Sequence, residues 1–387
     1  MFQRLCRPSA SGSFFLFGAR GTGKSTLLSG LNFLKDSLYL DLLQPDIEEQ
    51  YSLRPELLEE NAAALRAGNW IAIDEVQKIP KLLDVAHRLI ESKKIRFALS
   101  GSSSRKLKRG GANLLAGRAF VFSLFSLTAA ELGDRFDLDG AMHWGTLPKI
   151  FELGSDQDRA RFLRAYAHTY VKEEILVEQL VRNLDPFRLF LPIAAQMNGK
   201  ILNYSNVAKD TGVDYKTVQQ YFSILEDTYL GFFLRPYSRS VRKVQIQSPK
   251  FYFFDLGVKR SLENRLTVPL VPRNSEYGDS FESWFINECV RLNQYRETDF
   301  QFSFLRTKDD AEIDLIVERP DRTTALVEIK SSDVIDERGV KSLLHFAGDF
   351  PKAELYCVSR VKRAQKIGKA WVLNWKEGLR ELGLMGS

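Results

Sequence analysis

Eight consecutive residues, Gly18-Ala19-Arg20-Gly21-Thr22-Gly23-Lys24-Ser25, satisfy the pattern GxxxxGK[ST] in full. Such a loop works only when a strand delivers it and a helix leaves it, so it commits the N-terminal part to an α/β fold with a parallel sheet. The flanks agree, because Phe14-Phe15-Leu16-Phe17 enters as an apolar strand and Thr26-Leu27-Leu28 leaves as a helix start. Gly18, Gly21 and Gly23 let backbone N–H groups turn toward the β- and γ-phosphates of a nucleotide, and the helix N-terminus adds partial positive charge. Lys24 is then the cation on the phosphate oxygens and Ser25 the hydroxyl on Mg²⁺, with Thr22 and Thr26 completing the expected binding set. The expected cofactors are ATP and Mg²⁺, although no base-reading motif selects adenine over guanine. An accidental glycine-rich turn would not need both flanks to fit.

About fifty residues on, Trp70-Ile71-Ala72-Ile73 reads as a buried strand ending in Asp74-Glu75. Behind a phosphate loop, that pair makes Asp74 the Mg²⁺ partner and Glu75 the group that orients attacking water; alone it would be a solvated strand end. A third strand, Arg96-Phe97-Ala98-Leu99, runs into Ser100-Gly101-Ser102-Ser103-Ser104. Ser100 or Ser102 senses the γ-phosphate from that edge, or the cluster is a plain serine-rich turn. Arg105 and Arg118 follow in a basic stretch, and either is a candidate for stabilising transition-state charge, in its own subunit or a neighbour's.

A length of 387 residues suggests two or three domains, and 44% apolar with 27% charged residues is ordinary for a soluble globular protein. The longest apolar candidate, Ala119 to Leu127, is short and broken by serines, so no membrane partner is expected. Residues 1–13 hold arginines and a proline and no apolar signal core, which places the protein in the cytoplasm. Cys6, Cys289 and Cys357 are far apart and without CxxC spacing, which argues against zinc and a disulfide framework. The net charge of +6 permits nucleic-acid contact without requiring it.

From Asp156 to Arg182 the period is helical. Asn203 to Lys209, the turn Thr211-Gly212-Val213 and the segment Asp214 to Asp227 then read as a helix-turn-helix. Tyr229 to Leu234 and Lys250 to Phe254 supply strands that would complete a winged helix, with Arg235, Arg239, Arg242, Lys243 and Lys250 as phosphate grips. Against DNA reading, the second helix has a single basic residue, Lys216, in its first two turns; a structural or subunit-packing role accounts for the module equally well.

Toward the C-terminus, Glu312-Ile313-Asp314-Leu315-Ile316-Val317 alternates, which predicts Glu312 and Asp314 on one face and Ile313, Leu315 and Val317 in a core. Ala325 to Lys330 alternates likewise, with Glu328 and Lys330 together, and Pro320-Asp321-Arg322 joins the two strands. Asp314 and Glu328 are the expected metal ligands, Glu282 on a preceding helix a further one, and Lys330 the amine that orients water or stabilises charge on a scissile phosphate. A half-exposed hairpin with a wet, charged face is the plainer alternative.

Taken in order, GARGTGKS at 18–25, IDEVQKIP at 73–80, LSGSSS at 99–104, LAGR at 115–118, SPKFYFFDLG at 248–257, FESW at 281–284 and EID with EIK at 312–314 and 328–330 resemble the two-part prokaryotic AAA-type ATPases that carry a DUF4143 region. The resemblance implies an AAA-like P-loop domain over 1–150, a helical and winged-helix-like part over 151–260, and a C-terminal domain over 261–387 similar to the PD-(D/E)xK nucleases. Two departures stand out: Gly145-Thr146-Leu147-Pro148 replaces a GGxP segment, which bears on subunit packing if that segment contacts a neighbour, and Tyr170 to Glu174 has Glu where many relatives have Asp.

Two functions follow. One is an ATP hydrolase coupled to nucleic-acid binding, with metal-dependent cleavage by Asp314, Glu328 and Lys330. The other is a nucleotide-gated switch or scaffold whose nuclease-like domain only binds a partner, either another protein or further copies of this chain.

Overall fold

The computed structural model describes residues 2–105, 115, 117–170, 184–237 and 248–386. Its first part runs β1 (Ser13–Phe17), α1 (Lys24–Gly30), β2 (Leu38–Asp41), α2 (Pro45–Leu53), α3 (Leu57–Asn61), β3 (Trp70–Asp74), α4 (Leu82–Lys93), β4 (Arg96–Gly101) and β5 (Ala119–Ser123). The strands form one parallel sheet in the order β2-β3-β4-β1-β5. Every residue of β1 and β3 is buried, because helices cover both faces, and this is why these strands read as unbroken apolar runs. Phe15, Phe17, Ile71, Ile73, Phe97 and Leu99 pack on one side with α4, while Phe14, Leu16, Ala72 and Ala98 pack on the other with Leu28 of α1. The phosphate loop thus opens beside the carboxyl ends of β3 and β4, where ligands of open α/β sheets bind.

The middle of the chain contains α5 (Ala129–Leu132), α6 (Leu138–Trp144) and α7 (Asp156–Ala165). The long helix expected from Asp156 stops being α-helical at Ala165 and passes into a π turn over Tyr166–Tyr170. Val171, Lys172, Glu173 and Glu174 of the departing motif lie outside the described residues. After α8 (Leu184–Gln196), the helix-turn-helix forms as read: α9 (Tyr204–Thr211) is capped by Asn203, Gly212 takes a left-handed conformation, and Asp214 caps α10 (Tyr215–Asp227).

The strands expected as a wing, β6 (Gly231–Pro236) and β7 (Lys250–Phe253), do pair as an antiparallel hairpin, but β6 also pairs in parallel with β8 (Gln301–Arg306). They belong to an eight-stranded mixed sheet, so the boundary expected after residue 260 is not a seam between sheets. Arg239, Arg242 and Lys243 of the basic loop lie outside the described residues. Between hairpin and β8 come α11 (Leu256–Leu262) and the 22-residue α12 (Ser275–Arg296). The chain then continues through β9 (Glu312–Glu318), β10 (Ala325–Ile329), α13 (Lys341–Phe346), β11 (Glu354–Ser359), β12 (Gln365–Ile367), β13 (Ala370–Asn374) and α14 (Trp375–Glu381), with strand order β12-β13-β11-β10-β9-β8-β6-β7.

The alternation expected in β9 fails at one step. Leu315 and Val317 pack with α12, whereas Ile313 packs with Ile316 and Leu305 on the opposite, α13 side. A shift in the β8–β9 pairing between Ser303 and Leu305 explains it, since an extra residue in one strand reverses the facing of everything beyond it. No helix among the described residues is long and apolar enough to cross a membrane.

Candidate nucleotide and carboxylate sites

The cradle is built for a ligand with many oxygens. A side chain at Gly18 would overlap the carbonyl oxygen of Leu124, and Gly23, at the mouth of α1, sits at φ 94°, a conformation natural to glycine. Lys24 is only 5% exposed, and its Nζ donates to the carbonyls of Gly18 (2.9 Å) and Ala19 (3.3 Å), so the ammonium lies folded against the loop it would leave for phosphate oxygens. Ser25 and Thr26 face solvent at the first turn of α1. Thr22, by contrast, is buried and donates to the Ala19 carbonyl at 2.8 Å, so its side chain shapes the loop from within.

Asp74 ends β3 with both carboxylate oxygens engaged, one by the Ser100 hydroxyl and the other by Tyr39 at 3.0 Å. Each oxygen keeps a lone pair, so the group remains able to hold a hydrated Mg²⁺. Glu75 takes a left-handed backbone (φ 59°) that swings it out of the strand, a strained geometry for a non-glycine residue and one common at functional sites. Its Oε2 accepts from Gln77 and from the Ser102 hydroxyl at 2.9 Å, and its Oε1 lies 3.8 Å from the Lys24 ammonium. Burial alone would raise its pKa, but Lys24, Gln77 and Ser102 outweigh that and hold it below the ordinary value. Glu75 is therefore an anion with a fixed orientation at neutral pH.

The two candidate arginines sit elsewhere. Arg118 is tied to Glu91 at the outer end of α4, and Arg105 forms an ion pair of 2.8 Å with Asp227 at the end of α10. Ser104 joins that contact by donating its N–H to the Asp227 carbonyl at 3.2 Å. Next to them Tyr229 stacks on Phe17 at the end of the strand that delivers the phosphate loop. The serine cluster thus reaches Asp74 and Glu75 with its first residues and the helix-turn-helix with its last.

Arg4, which the sequence did not single out, joins the phosphate loop to the rest of the molecule. It donates to the carbonyls of Thr22 (2.7 Å) and Phe125 (2.6 Å), to Glu131 (2.9 Å) and to the Tyr295 hydroxyl of α12 (3.2 Å). Beside it, Phe2, Leu27, Leu31 and Pro148 line a cavity of about 200 Å³ that opens onto Gly23 and Thr26. The Gly145-Thr146 departure also has an intramolecular account. The Thr146 N–H donates to buried Asp255 at 2.8 Å, and its hydroxyl accepts from Arg291 at 3.2 Å.

In the C-terminal sheet, Asp314 and Glu328 come together as expected. Asp314 accepts from the Ile329 N–H at 2.8 Å, and Lys330 meets Glu328 at 2.5 Å. Burial and then repulsion by Glu328 push Asp314 well above the usual carboxylate range, and burial also raises Glu328. The second oxygen of Glu328 has no partner although the residue is only 6% exposed, an orphan that a bound cation would satisfy. Glu282 does not add its carboxylate freely to this pair, because it accepts from Tyr252 (2.9 Å) and from Lys250 (3.2 Å). Nor is Lys250 a surface phosphate grip: it is 3% exposed and lies 2.6 Å from Glu312. Among the described residues no group of three or more His, Cys, Asp or Glu side chains is arranged to hold a metal. Glu282 is occupied by a lysine, which leaves Asp314 and Glu328 as the two facing carboxylates of the expected set.

Residues 11–133 match an AAA domain, 135–267 the domain of unknown function DUF8612, and 277–377 the domain of unknown function DUF4143. The N-terminal part is accordingly an AAA-type P-loop domain. Two mycobacterial proteins described as uncharacterized, Rv2008c of Mycobacterium tuberculosis and Mb2031c of Mycobacterium bovis, are each 28% identical over 283 residues, which span 71% of this chain and 62% of theirs. Among solved structures, the Aeropyrum pernix ORC2 protein in its ADP form is similar with a TM-score of 0.32 at 12% identity, covering 67% of this chain and 89% of that one. The Aeropyrum pernix ORC1 protein in complex with DNA gives a TM-score of 0.26 at 15% identity, covering 66% and 86%. Scores this low transfer neither an activity nor a partner.

Proposed function

We propose that the protein hydrolyses ATP at the cradle between β1, β3 and β4 and uses the nucleotide state to set the position of its helix-turn-helix, in contact with nucleic acid. The observation that carries this reading is the anionic, oriented Glu75, held by Gln77 and Ser102 within 3.8 Å of Lys24. Mg²⁺, held by Ser25 and Asp74, would neutralise phosphate charge. Glu75 orients the attacking water, Lys24 turns from the Gly18 and Ala19 carbonyls to the phosphate oxygens, and the cavity beside Phe2, Leu27 and Pro148 takes the base. With Arg118 bound to Glu91 on the outer surface, a role for it in charge stabilisation belongs to a contact between neighbouring subunits.

At the C-terminal sheet, Asp314 and Glu328 would hold a single divalent cation, and Lys330 is placed to stabilise charge on a phosphodiester. The switch reading keeps one specific support, the link from Ser104 and Arg105 to Asp227, which would carry a change at Ser100 to α10 whether or not anything is cleaved.

Turnover of ATP and GTP, with and without single- and double-stranded DNA in Mg²⁺ and Mn²⁺, tests both parts. The expected result is ATP turnover that drops at least about a hundredfold in Glu75→Gln while ATP binding persists. Wild-type turnover by Glu75→Gln would remove the assignment. Nicking that requires Mn²⁺ or Mg²⁺ and vanishes in Asp314→Ala and Lys330→Ala supports cleavage; intact DNA throughout, with ATP turnover preserved, leaves the switch.

A further inference from the structure

A different surface, far along the sheet from the helix-turn-helix, has the chemistry of a polyanion site. Between Glu354 and Glu377 the chain has six cations, Arg360, Lys362, Arg363, Lys366, Lys369 and Lys376, and no carboxylate. The formal charge of the whole chain is also +6, so positive charge elsewhere is balanced and here it is not. Residues 365–374 form the β12–β13 hairpin at one edge of the sheet, turned by Gly368-Lys369 with Gly368 at φ 59°. Lys362, Arg363, Lys366 and Lys369 are exposed, and none of them has an ion-pair partner among the described residues.

Lysines on an edge strand have a purely protective use, since they discourage pairing with another chain. That accounts for Lys366 but not for the rest. Lys362 and Arg363 precede the strand, and Trp371, on the inner strand of the hairpin, is 44% exposed. Trp371 pairs across the strands with Lys366, whose ammonium lies over the ring 5.3 Å from its centroid, so the indole and the cation form one surface patch. The run also begins next to the acidic pair: the Lys330 N–H donates to the Val358 carbonyl at 2.9 Å, and the Arg360 N–H to the Ser332 carbonyl at 3.1 Å.

We propose that this hairpin is a docking platform for single-stranded nucleic acid, with Trp371 stacking on an unpaired base and Lys362, Arg363, Lys366 and Lys369 tracking phosphates toward the Lys330 end of β10. Unpaired cations in a row fit a phosphate backbone, and an exposed indole beside them fits a base free of its partner strand, which a duplex does not offer. The platform rests on the nucleic-acid reading above but not on cleavage.

The test is fluorescence anisotropy of a labelled oligothymidylate with the full-length protein across a salt series. Three proteins are compared: wild type, Lys362→Gln/Lys366→Gln/Lys369→Gln, and Lys209→Gln/Lys216→Gln on the helix-turn-helix. The hairpin variant should lose affinity and reduce the salt slope by about 2, from roughly 0.7 per phosphate contact, with an unchanged thermal midpoint. Trp371→Ala should weaken binding roughly tenfold and Trp371→Phe should restore most of it. Binding that survives the hairpin changes and falls with the helix-turn-helix changes would overturn the platform while sparing the nucleic-acid reading. Absence of oligonucleotide binding by wild type would remove both, and hairpin-dependent binding to phosphatidylserine vesicles but not to DNA would assign the surface to a membrane instead.

Discussion

At the end of β3, Asp74 and Glu75 lie beside Lys24; on β9 and β10, Asp314 and Glu328 lie beside Lys330. Both places bury two carboxylates near one lysine, and their surroundings treat the charge in opposite ways. Around Glu75 the donors are in excess: an amide, a hydroxyl and an ammonium overcome burial, and the group ionises more readily than in water. Around Asp314 and Glu328 donors are short, since Lys250 is spent on Glu282 and Glu312, one Glu328 oxygen is unpaired, and burial drives both acids upward. A preorganised anion suits water activation, whereas an under-compensated pair is a receptor for positive charge.

The sharpest way to break this contrast is to remove one cation from each place. Lys24→Ala should reduce ATP turnover on the order of a thousandfold, and little change would mean that Glu75 does not work opposite a phosphate-bound ammonium. Lys250→Met should act on stability instead, costing about 3–5 kcal/mol in urea unfolding because Glu282 and Glu312 lose their buried partner. Should Lys250→Met unfold like wild type, the C-terminal acids are better solvated than their burial indicates.

A smaller effect concerns pH. Asp314 has its folded pKa above the ordinary 3.8, so the folded state binds the extra proton. Its contribution to stability is therefore fullest below pH 3.8 and is lost as pH rises toward the folded value. In metal-free buffer Asp314→Asn should be more stable than wild type by about 1–2 kcal/mol at neutral pH, with the advantage shrinking on acidification. Mn²⁺ should raise the thermal midpoint of wild type and leave that of the variant unmoved. A constant difference across pH would mean that Asp314 is not raised in the folded state, and equal Mn²⁺ stabilisation of both proteins would place the cation elsewhere.

The nucleotide cradle was legible because its parts are local. Eight adjacent residues make the loop, and apolar runs identify the strands on either side. The serine cluster at 100–104 could be placed at the nucleotide's edge of the sheet from the rule that ligands gather at carboxyl ends of parallel strands, but not its contact with Asp74. What stayed hidden depends on pairing at a distance. Lys250 meets an acid 32 residues away and another 62 residues away, and no periodicity announces which strand will lie beside which helix. The reversal of Ile313 follows from an extra residue in a pairing that the sequence of β9 alone does not display. The hairpin at Lys250 read as a wing because its own residues fit one; only its parallel partner, β8, assigns it to the larger sheet.

Helix α12 has 22 residues and so spans about 33 Å without a break. Near its C-terminal end Tyr295 receives Arg4, which also grips the Thr22 carbonyl; thirteen residues earlier, Glu282 meets Lys250 beside the C-terminal acids. The residue that receives Arg4 and the residue that receives Lys250 therefore stand about 20 Å apart on one continuous helix, so a single rigid element is shared by the phosphate loop's anchor and the C-terminal acids.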